Sequence, residues 1–276
     1  MRFKEISLKE IYPVLGENNC SPTLCAYLPD NLTEMGRDEQ KRPCILICPG
    51  GGYSFCSQRE AEPIALNYLS SGYNVFVLYY SCAPKTFPTQ LREVAAGLDL
   101  IHNKSDCWHC DTEKIAIMGF SAGGHLAAHY SNEYDCKEVR EVFENSYPVN
   151  ASVLCYPVIT AEKGISHEGS FLCLTGKNEI DENTIERFSC DRMVSEKTPP
   201  AFVWHTSEDA CVPVQNSLLY TRALADKKIP FELHIYPFGA HGLATADAQT
   251  NGDMADKIQI THSWIDESKK WLEIIL

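Results

Sequence analysis

The sequence predicts an α/β protein with a mostly parallel central sheet and helices on both faces. Apolar runs of strand length alternate along the chain with amphipathic helical patterns. One such run leads directly through Gly-x-Ser-x-Gly into a stretch of small residues compatible with a helix. No repeat, low-complexity segment or charged linker interrupts the 276 residues. We therefore expect one domain, residues 1–276, with a large buried core.

This alternation predicts seven strands and five helices. The strands are 24–28, 44–48, 75–80, 115–118, 152–156, 201–204 and 232–236. The helices are 60–70, 90–102, 123–132, 214–227 and 258–275. Strands separated by helices of this length favour a parallel sheet covered on both faces. Right-handed crossovers then place the active-site loops together at the carboxyl ends of the strands.

Residues 159–197 break this rhythm. The segment contains Gly164, Gly169, Gly176 and many polar residues, with one short apolar run at 171–174. We interpret it as an insertion over the strand ends, forming a small lid or a cap that faces the substrate. The alternative is a surface excursion without a role.

Charge and composition narrow the classes of function. The chain has 24 basic and 37 acidic residues, a net charge of −13, and no Lys/Arg cluster, which disfavours nucleic-acid binding. No apolar run approaches 18 residues, so we expect no membrane span. The charged N-terminal residues are not followed by an apolar stretch, and we therefore expect a cytoplasmic protein with no secretion signal. The 13 cysteines are interpreted as reduced thiols, mostly in the core.

A metal site is not expected. Cys107-Trp108-His109-Cys110 has the spacing of half a zinc site, but the chain has no second pair at a matching spacing. We expect no metal at this pair.

The segment 115–125 is the most informative stretch of the chain. A β-prone run, 115–118, ends in Gly119-Phe120-Ser121-Ala122-Gly123, and helix-compatible residues follow. This strand–turn–helix context is that of a nucleophile elbow, in which glycines on both sides of the serine relieve close contacts. Ser121 is the predicted nucleophile, at a helix N-terminus that favours developing negative charge.

A serine nucleophile needs a base and an acid that orients the base. In this arrangement the acid and the histidine follow the serine in that order, on loops after the last two strands. Asp209 follows strand 201–204, and His241 follows strand 232–236 between two glycines. Glu208 is the local competitor for the acid, and we favour Asp209 because a shorter side chain suits the turn there.

The other histidines are assigned lesser roles. His125 and His129 lie only four and eight residues after Ser121 on the same helix, so neither can serve as its base, although His125 can line the pocket. We interpret the rest as packing, sheet or surface residues: His102, His109, His167, His205, His234 and His262.

Three glycines after strand 44–48 predict an oxyanion hole. Pro49-Gly50-Gly51-Gly52-Tyr53 leaves the backbone amides free to converge without a Cβ in the way. We expect the amides of Gly51, Gly52 and Ala122 to be the donors. The spacing is neither that of a P-loop nor that of a Rossmann fingerprint. Tyr53 is expected to shape the substrate pocket, with packing beneath the loop as the alternative.

Together these motifs resemble the α/β-hydrolase fold and, within it, the small acetyl xylan esterase and acetyl-esterase-like proteins. The resemblance covers about residues 44–242 and is weakest over 159–197. Lipase-like relatives usually carry histidine where this chain has Pro49, which favours the sugar-esterase branch. The resemblance implies hydrolysis of short acyl esters, often acetyl groups on sugars, without metal or cofactor.

The sequence therefore predicts a serine carboxylic-ester hydrolase that works through an acyl-serine intermediate. Its expected partner is a small ester or an acetylated saccharide, with no nucleic acid and no membrane. A peptidase, amidase or aryl-formamidase of the same fold is the alternative, and a non-catalytic binding protein of this fold is a third reading. Edge strands of such sheets often pair with each other, so a homodimer is a further expectation.

Overall fold

The computed structural model describes residues 1–16 and 21–276, which form one eight-stranded sheet flanked by helices. The strand order is β1-β2-β4-β3-β5-β6-β7-β8. The strand bounds are β1 Arg2–Ser7, β2 Thr23–Leu28, β3 Arg42–Cys48, β4 Asn74–Tyr79, β5 Cys110–Phe120, β6 Ala151–Cys155, β7 Ala201–Thr206 and β8 Phe231–Tyr236.

The mostly parallel sheet is confirmed. Neighbouring strands are parallel throughout the series β4-β3-β5-β6-β7-β8. Strand β2 runs antiparallel to both of its neighbours, β1 and β4. All seven predicted strands are present, and their ends shift by at most two residues except that β5 begins at Cys110. β1 was not predicted. It is an edge strand with a largely exposed, charged sequence, so the apolar pattern of the inner strands is missing.

The described residues form thirteen α-helices. Their bounds are α1 Leu8–Ile11, α2 Glu62–Leu69, α3 Thr89–Asn103, α4 Ser105–Trp108, α5 Ser121–Glu133, α6 Lys137–Arg140, α7 Glu168–Thr175, α8 Glu182–Phe188, α9 Cys190–Met193, α10 Gln215–Asp226, α11 Ala248–Asn251, α12 Ala255–Ile258 and α13 Trp264–Ile275. The five predicted helices correspond to α2, α3, α5, α10 and α13. The last begins later than expected because a 3-10 turn, Thr261–Ser263, precedes it.

Two apolar layers cover the two faces of the sheet. Alternate residues of one strand belong to different layers: Leu46 faces one, and Ile45 and Ile47 face the other. Helices α3 and α5 pack on the first face, and α2 and α13 on the second. This double burial explains the nearly continuous apolar runs of the inner strands. Over the described residues, no helix is long and apolar enough to cross a membrane.

Residues 159–197 connect β6 to β7 and contain α7, α8 and α9. Hydrogen bonds connect the segment to the rest of the protein: Phe87 N–H donates to Leu174 O at 2.8 Å, and Asn132 Nδ2–H donates to Cys190 O at 3.2 Å. Its function as a lid or cap stays a prediction.

Candidate active site

The turn between β5 and α5 holds Ser121 in a conformation that requires glycine on both sides. Ser121 has φ +52° and is the first residue of α5. A Cβ on Gly119 would lie 2.2 Å from Gly123 O, and a Cβ on Gly123 would lie 2.1 Å from Cys48 O. Neither distance is sterically allowed, so the Gly-x-Ser-x-Gly sequence follows from the close approach of β3, β5 and α5.

The structure brings Ser121, His241 and Asp209 into one hydrogen-bonded chain. Ser121 Oγ lies 2.8 Å from His241 Nε2, and His241 Nδ1 lies 2.6 Å from Asp209 Oδ2. Because the carboxylate can only accept, Nδ1–H donates to it and Nε2 is left to accept the serine proton. Glu208 has a different contact, since its Oε2 accepts the N–H of Gly239 at 3.2 Å. Of the two acidic candidates, Asp209 therefore contacts the imidazole, whereas Glu208 contacts the backbone two residues before His241.

The Asp209 carboxylate is buried but well supplied with donors. Its Oδ1 accepts the N–H groups of Cys211 and Val212 at 3.0 and 2.9 Å. Burial alone would raise the pKa of Asp209, but hydrogen bonds from His205 and His241 and from the Val212 amide outweigh it and hold the pKa below its usual range. The carboxylate stays ionised beside the imidazole.

The glycine-rich loop after β3 borders the same cavity. Gly51 has φ +128° and Gly52 has φ +64°, in the region that favours glycine. Within the described residues, the amides of Gly51, Gly52 and Ala122 have no hydrogen-bond acceptor. Gly51 and Gly52 line the cavity beside Ser121, and Ala122 follows Ser121 in the first turn of α5, where N–H groups have no helical partner.

The cavity at Ser121 has a volume of about 290 Å³. Its lining residues are Gly51, Gly52, Ser54, Phe55, Ser57, Arg59, Glu60, Ser121, His167, Cys211, His241 and Gly242. Phe55 is 60% exposed and contributes a phenyl ring to this lining.

Comparison with known proteins identifies the family. The BD-FAE family matches residues 31–224, about 70% of the chain. The chain belongs to the BD-FAE family. This family member is 36% identical over 229 residues to endo-1,4-beta-xylanase B of Butyrivibrio fibrisolvens, covering 80% of this chain and 35% of that protein. It is 32% identical over 232 residues to an acetylxylan esterase of Xylanibacter ruminicola, covering 83% and 45% of the two chains. The chain thus spans less than half the length of these curated relatives.

A solved structure is similar over its full length. The acetyl ester-xyloside bifunctional hydrolase of Caldicellulosiruptor lactoaceticus superposes with a TM-score of 0.84 at 36% identity, covering 99% of this chain and 97% of that one. Together with the sheet order, this likeness establishes the α/β-hydrolase fold and the resemblance to acetyl xylan esterases that the motifs predicted.

Tyr53 and His125 do not line the cavity of this BD-FAE protein, which corrects the expectation that His125 lines the pocket and supports the packing alternative for Tyr53. Both are buried, and Tyr53 Oη–H donates to His125 Nδ1 at 2.8 Å. His125 Nε2–H donates to Phe188 O at 2.8 Å. Burial, helped by the nearby His129, lowers the pKa of His125 to about 3, so this imidazole is neutral. The pair connects the glycine-rich loop to segment 159–197.

His205 and His167 were interpreted as packing or surface residues, and the structure places both at the site. His205 is fully buried at the end of β7, with Nε2 3.2 Å from Asp209 Oδ2 and 2.8 Å from Val212 O. Its position four residues before Asp209, at a strand end, was the available signal. His167 reaches the cavity from segment 159–197, where Ser170 Oγ lies 2.8 Å from its Nδ1. Nothing local in the sequence marked it.

The Cys107–Cys110 half-site is not assembled for metal binding. Cys107 is exposed, whereas Cys110 is buried and its Sγ accepts a hydrogen bond from Asn74 Nδ2 at 3.3 Å. Across residues 1–16 and 21–276, no cluster of three or more His, Cys, Asp or Glu side chains is arranged to hold a metal ion.

Proposed function

We propose that this protein is a carboxylic-ester hydrolase in which Ser121 is the nucleophile, His241 the general base and Asp209 the orienting acid. The observation that carries the proposal is the continuous chain from Ser121 Oγ through His241 to Asp209 Oδ2, at 2.8 and 2.6 Å. Hydrogen-bond distances of this kind let the imidazole take the serine proton during attack. The esterase names of the relatives and structural neighbours support the same reaction class.

The reaction follows from the geometry in two halves. Ser121 Oγ bonds to the acyl carbon while His241 Nε2 takes its proton, and the carbonyl oxygen becomes an oxyanion. The amides of Gly51, Gly52 and Ala122 are the proposed donors to that oxyanion, and one such donor typically contributes about 3–4 kcal/mol. Collapse breaks the ester C–O bond, and the alcohol leaves with the proton from Nε2. Water activated by His241 then releases the acid from the acyl-serine.

We propose acetylated sugars as the substrate class. An acetylxylan esterase and an acetyl ester-xyloside hydrolase are among the relatives. The cavity is small, and its Ser54, Ser57, Arg59 and His167 side chains offer hydrogen-bonding groups of the kind that sugar hydroxyls use. Phe55 offers an exposed aromatic face.

The first experiment measures hydrolysis of p-nitrophenyl acetate by the wild-type protein and by Ser121→Ala. Loss of the nucleophile in such a triad lowers kcat by about 10⁶-fold. A fluorophosphonate probe should label the wild-type protein at Ser121 and leave the variant unlabelled. Ester hydrolysis by Ser121→Ala at the wild-type rate would refute the assignment.

A substrate panel tests the finer proposal. We expect acetylated xylo-oligosaccharides and p-nitrophenyl acetate to be hydrolysed with higher kcat/KM than butyryl or feruloyl esters, because the cavity is small. A p-nitroanilide peptide and an N-formyl aniline test the peptidase and formamidase alternatives. Preference for either amide over every ester would contradict the proposal.

A further inference from the structure

Glu60 is a buried carboxyl group at the edge of the cavity with no part in the chemistry described above. The residue is 3% exposed and precedes α2. Its Oε2 accepts the N–H of Gly50 at 2.8 Å, and its Oε1 accepts the hydroxyl of Tyr156 at 2.6 Å. Each carboxyl oxygen therefore holds one donor, from a different part of the chain.

Tyr156 extends this connection to the loop that carries His241. Its hydroxyl oxygen accepts the N–H of Ala244 at 3.0 Å, so the hydroxyl proton is left for Glu60. The Tyr156 ring also packs edge-on against the His241 imidazole, with ring centroids 5.0 Å apart. Tyr156 has φ +37°, a strained conformation for a non-glycine residue at the end of β6.

These contacts form one continuous chain between the two loops that flank the nucleophile. It runs from Gly50 N–H through Glu60 and Tyr156 to Ala244 N–H. Gly50 itself is tightly enclosed, because a Cβ there would lie 2.7 Å from Glu60 Oε2 and 2.9 Å from Ser121 Cβ. A displacement of the carboxylate therefore moves the backbone next to the proposed oxyanion donors.

We propose that Glu60 and Tyr156 are positioning residues that fix the glycine-rich loop and the His241 loop relative to each other around Ser121. The inference rests on the proposed esterase function. Neither Glu60 nor Tyr156 is proposed to bind substrate. Burial raises the pKa of Glu60, while the hydrogen bonds from Tyr156 and Gly50 act in the opposite direction. These two donors, one on each oxygen, reduce the upward shift of the pKa but do not cancel it.

The test uses two nearly isosteric variants, Glu60→Gln and Tyr156→Phe. The Gln amide replaces one accepting oxygen by a donor, and the Phe ring removes only the bridging hydroxyl. We expect each to lower kcat for p-nitrophenyl acetate by about 10- to 100-fold, since misplacement of catalytic groups by about 1 Å costs up to about 100-fold. KM should stay within about twofold. The double variant should be no slower than the slower single variant, because both break the same connection.

Matched controls separate positioning from general packing. Glu93 is a buried carboxyl on α3 outside the cavity, and Tyr68 is a buried tyrosine whose hydroxyl lies 2.6 Å from Ser268 Oγ. Glu93→Gln and Tyr68→Phe should keep kcat within about twofold. Rates of Ser121 labelling by a fluorophosphonate should fall in Glu60→Gln and Tyr156→Phe in proportion to kcat.

Three results would overturn the inference. They are an unchanged kcat in both variants, an equal loss of kcat in the controls, or a loss that appears in KM alone. Thermal unfolding of each variant shows whether it is folded. If Glu60→Gln is unfolded, the test rests on Tyr156→Phe, which keeps every ring carbon. A wild-type protein that neither hydrolyses esters nor labels at Ser121 would instead refute the proposed function itself.

Discussion

Asp209 and Glu60 are two buried carboxyl groups that hold the His241 loop in different ways. Asp209 contacts the imidazole directly, whereas Glu60 reaches the loop through Tyr156 and the backbone of Ala244. Their pKa values shift in opposite directions, below the usual range for Asp209 and above it for Glu60.

The difference lies in the donors around each group. Asp209 is close to two imidazoles and accepts two backbone amides, and together these outweigh its burial. Glu60 accepts one amide and one hydroxyl, and these two hydrogen bonds do not outweigh the effect of its burial on the pKa. Burial therefore decides the direction of the shift unless enough donors converge on the carboxylate. The group that touches the imidazole is the one whose charge is best stabilised.

The largest effect is expected for Asp209→Asn. An amide in place of the carboxylate no longer fixes the imidazole tautomer, and the analogous change in a serine triad lowers kcat by about 10⁴-fold. Glu208→Gln is the matched control, since Glu208 accepts the Gly239 amide rather than the imidazole, and it should retain at least about a tenth of the activity. Steady-state kinetics with p-nitrophenyl acetate measure both. Equal losses in the two variants would contradict the assignment of the acid.

Glu93 is a third buried carboxyl, and it accepts hydrogen bonds from the backbone and side chain of Ser81. Burial raises its pKa to about 7, against the hydrogen bonds that it accepts from Ser81 N–H and Oγ–H at 2.6 Å. Because the folded-state pKa is the higher one, the unfolded chain ionises first. Protonated Glu93 therefore contributes to the free energy of unfolding below the unfolded pKa near 4.5, and this contribution is lost as pH rises through 7.

Glu93→Gln should remove this loss. Urea unfolding at pH 5 and pH 8 should show the wild-type free energy of unfolding falling by about 2–3 kcal/mol more than that of the variant, from a pKa difference of about 2.5. Other titrating groups, Asp209 included, are common to both proteins and cancel. Parallel pH dependence in the two proteins would show that Glu93 ionises at its ordinary pKa.

The smallest effect is expected for His205→Phe. It removes one donor from Asp209, but His241 and the two backbone amides remain. We expect kcat to fall by less than about tenfold, because the remaining donors still hold the carboxylate beside His241. Ser217→Ala, which removes the 2.8 Å contact on the other side of the His205 ring, should change kcat less. A loss as large as that of Asp209→Asn would mean that His205 has a direct role in the reaction.

The sequence predicted the elements whose causes are local. The inner strands follow from apolar runs, and the turn at Ser121 follows from two glycines that no other residue could replace. The order of Ser121, Asp209 and His241 along the chain was enough to select the residues that the structure brings together. Edge strand β1 was missed because its exposed position imposes no apolar pattern.

The remaining contacts depend on residues far apart in the chain. Glu60 and Tyr156 are 96 residues apart, and no spacing or composition connects them. Tyr53 and His125 were assigned to the pocket because of their motifs, yet their polar atoms satisfy each other and the Phe188 carbonyl inside the protein. A motif locates the backbone of a site, but the direction of a side chain depends on which partner is within reach.

The hydrogen bond from His125 to Phe188 does not depend on which side chain stands at position 188. Its acceptor is a main-chain carbonyl, which every amino acid supplies. Side chains of segment 159–197, His167 among them, can therefore change while the hydrogen bond that connects the segment to α5 persists. A main-chain atom, which no substitution removes, thus joins the segment that carries His167 to the helix that begins at Ser121.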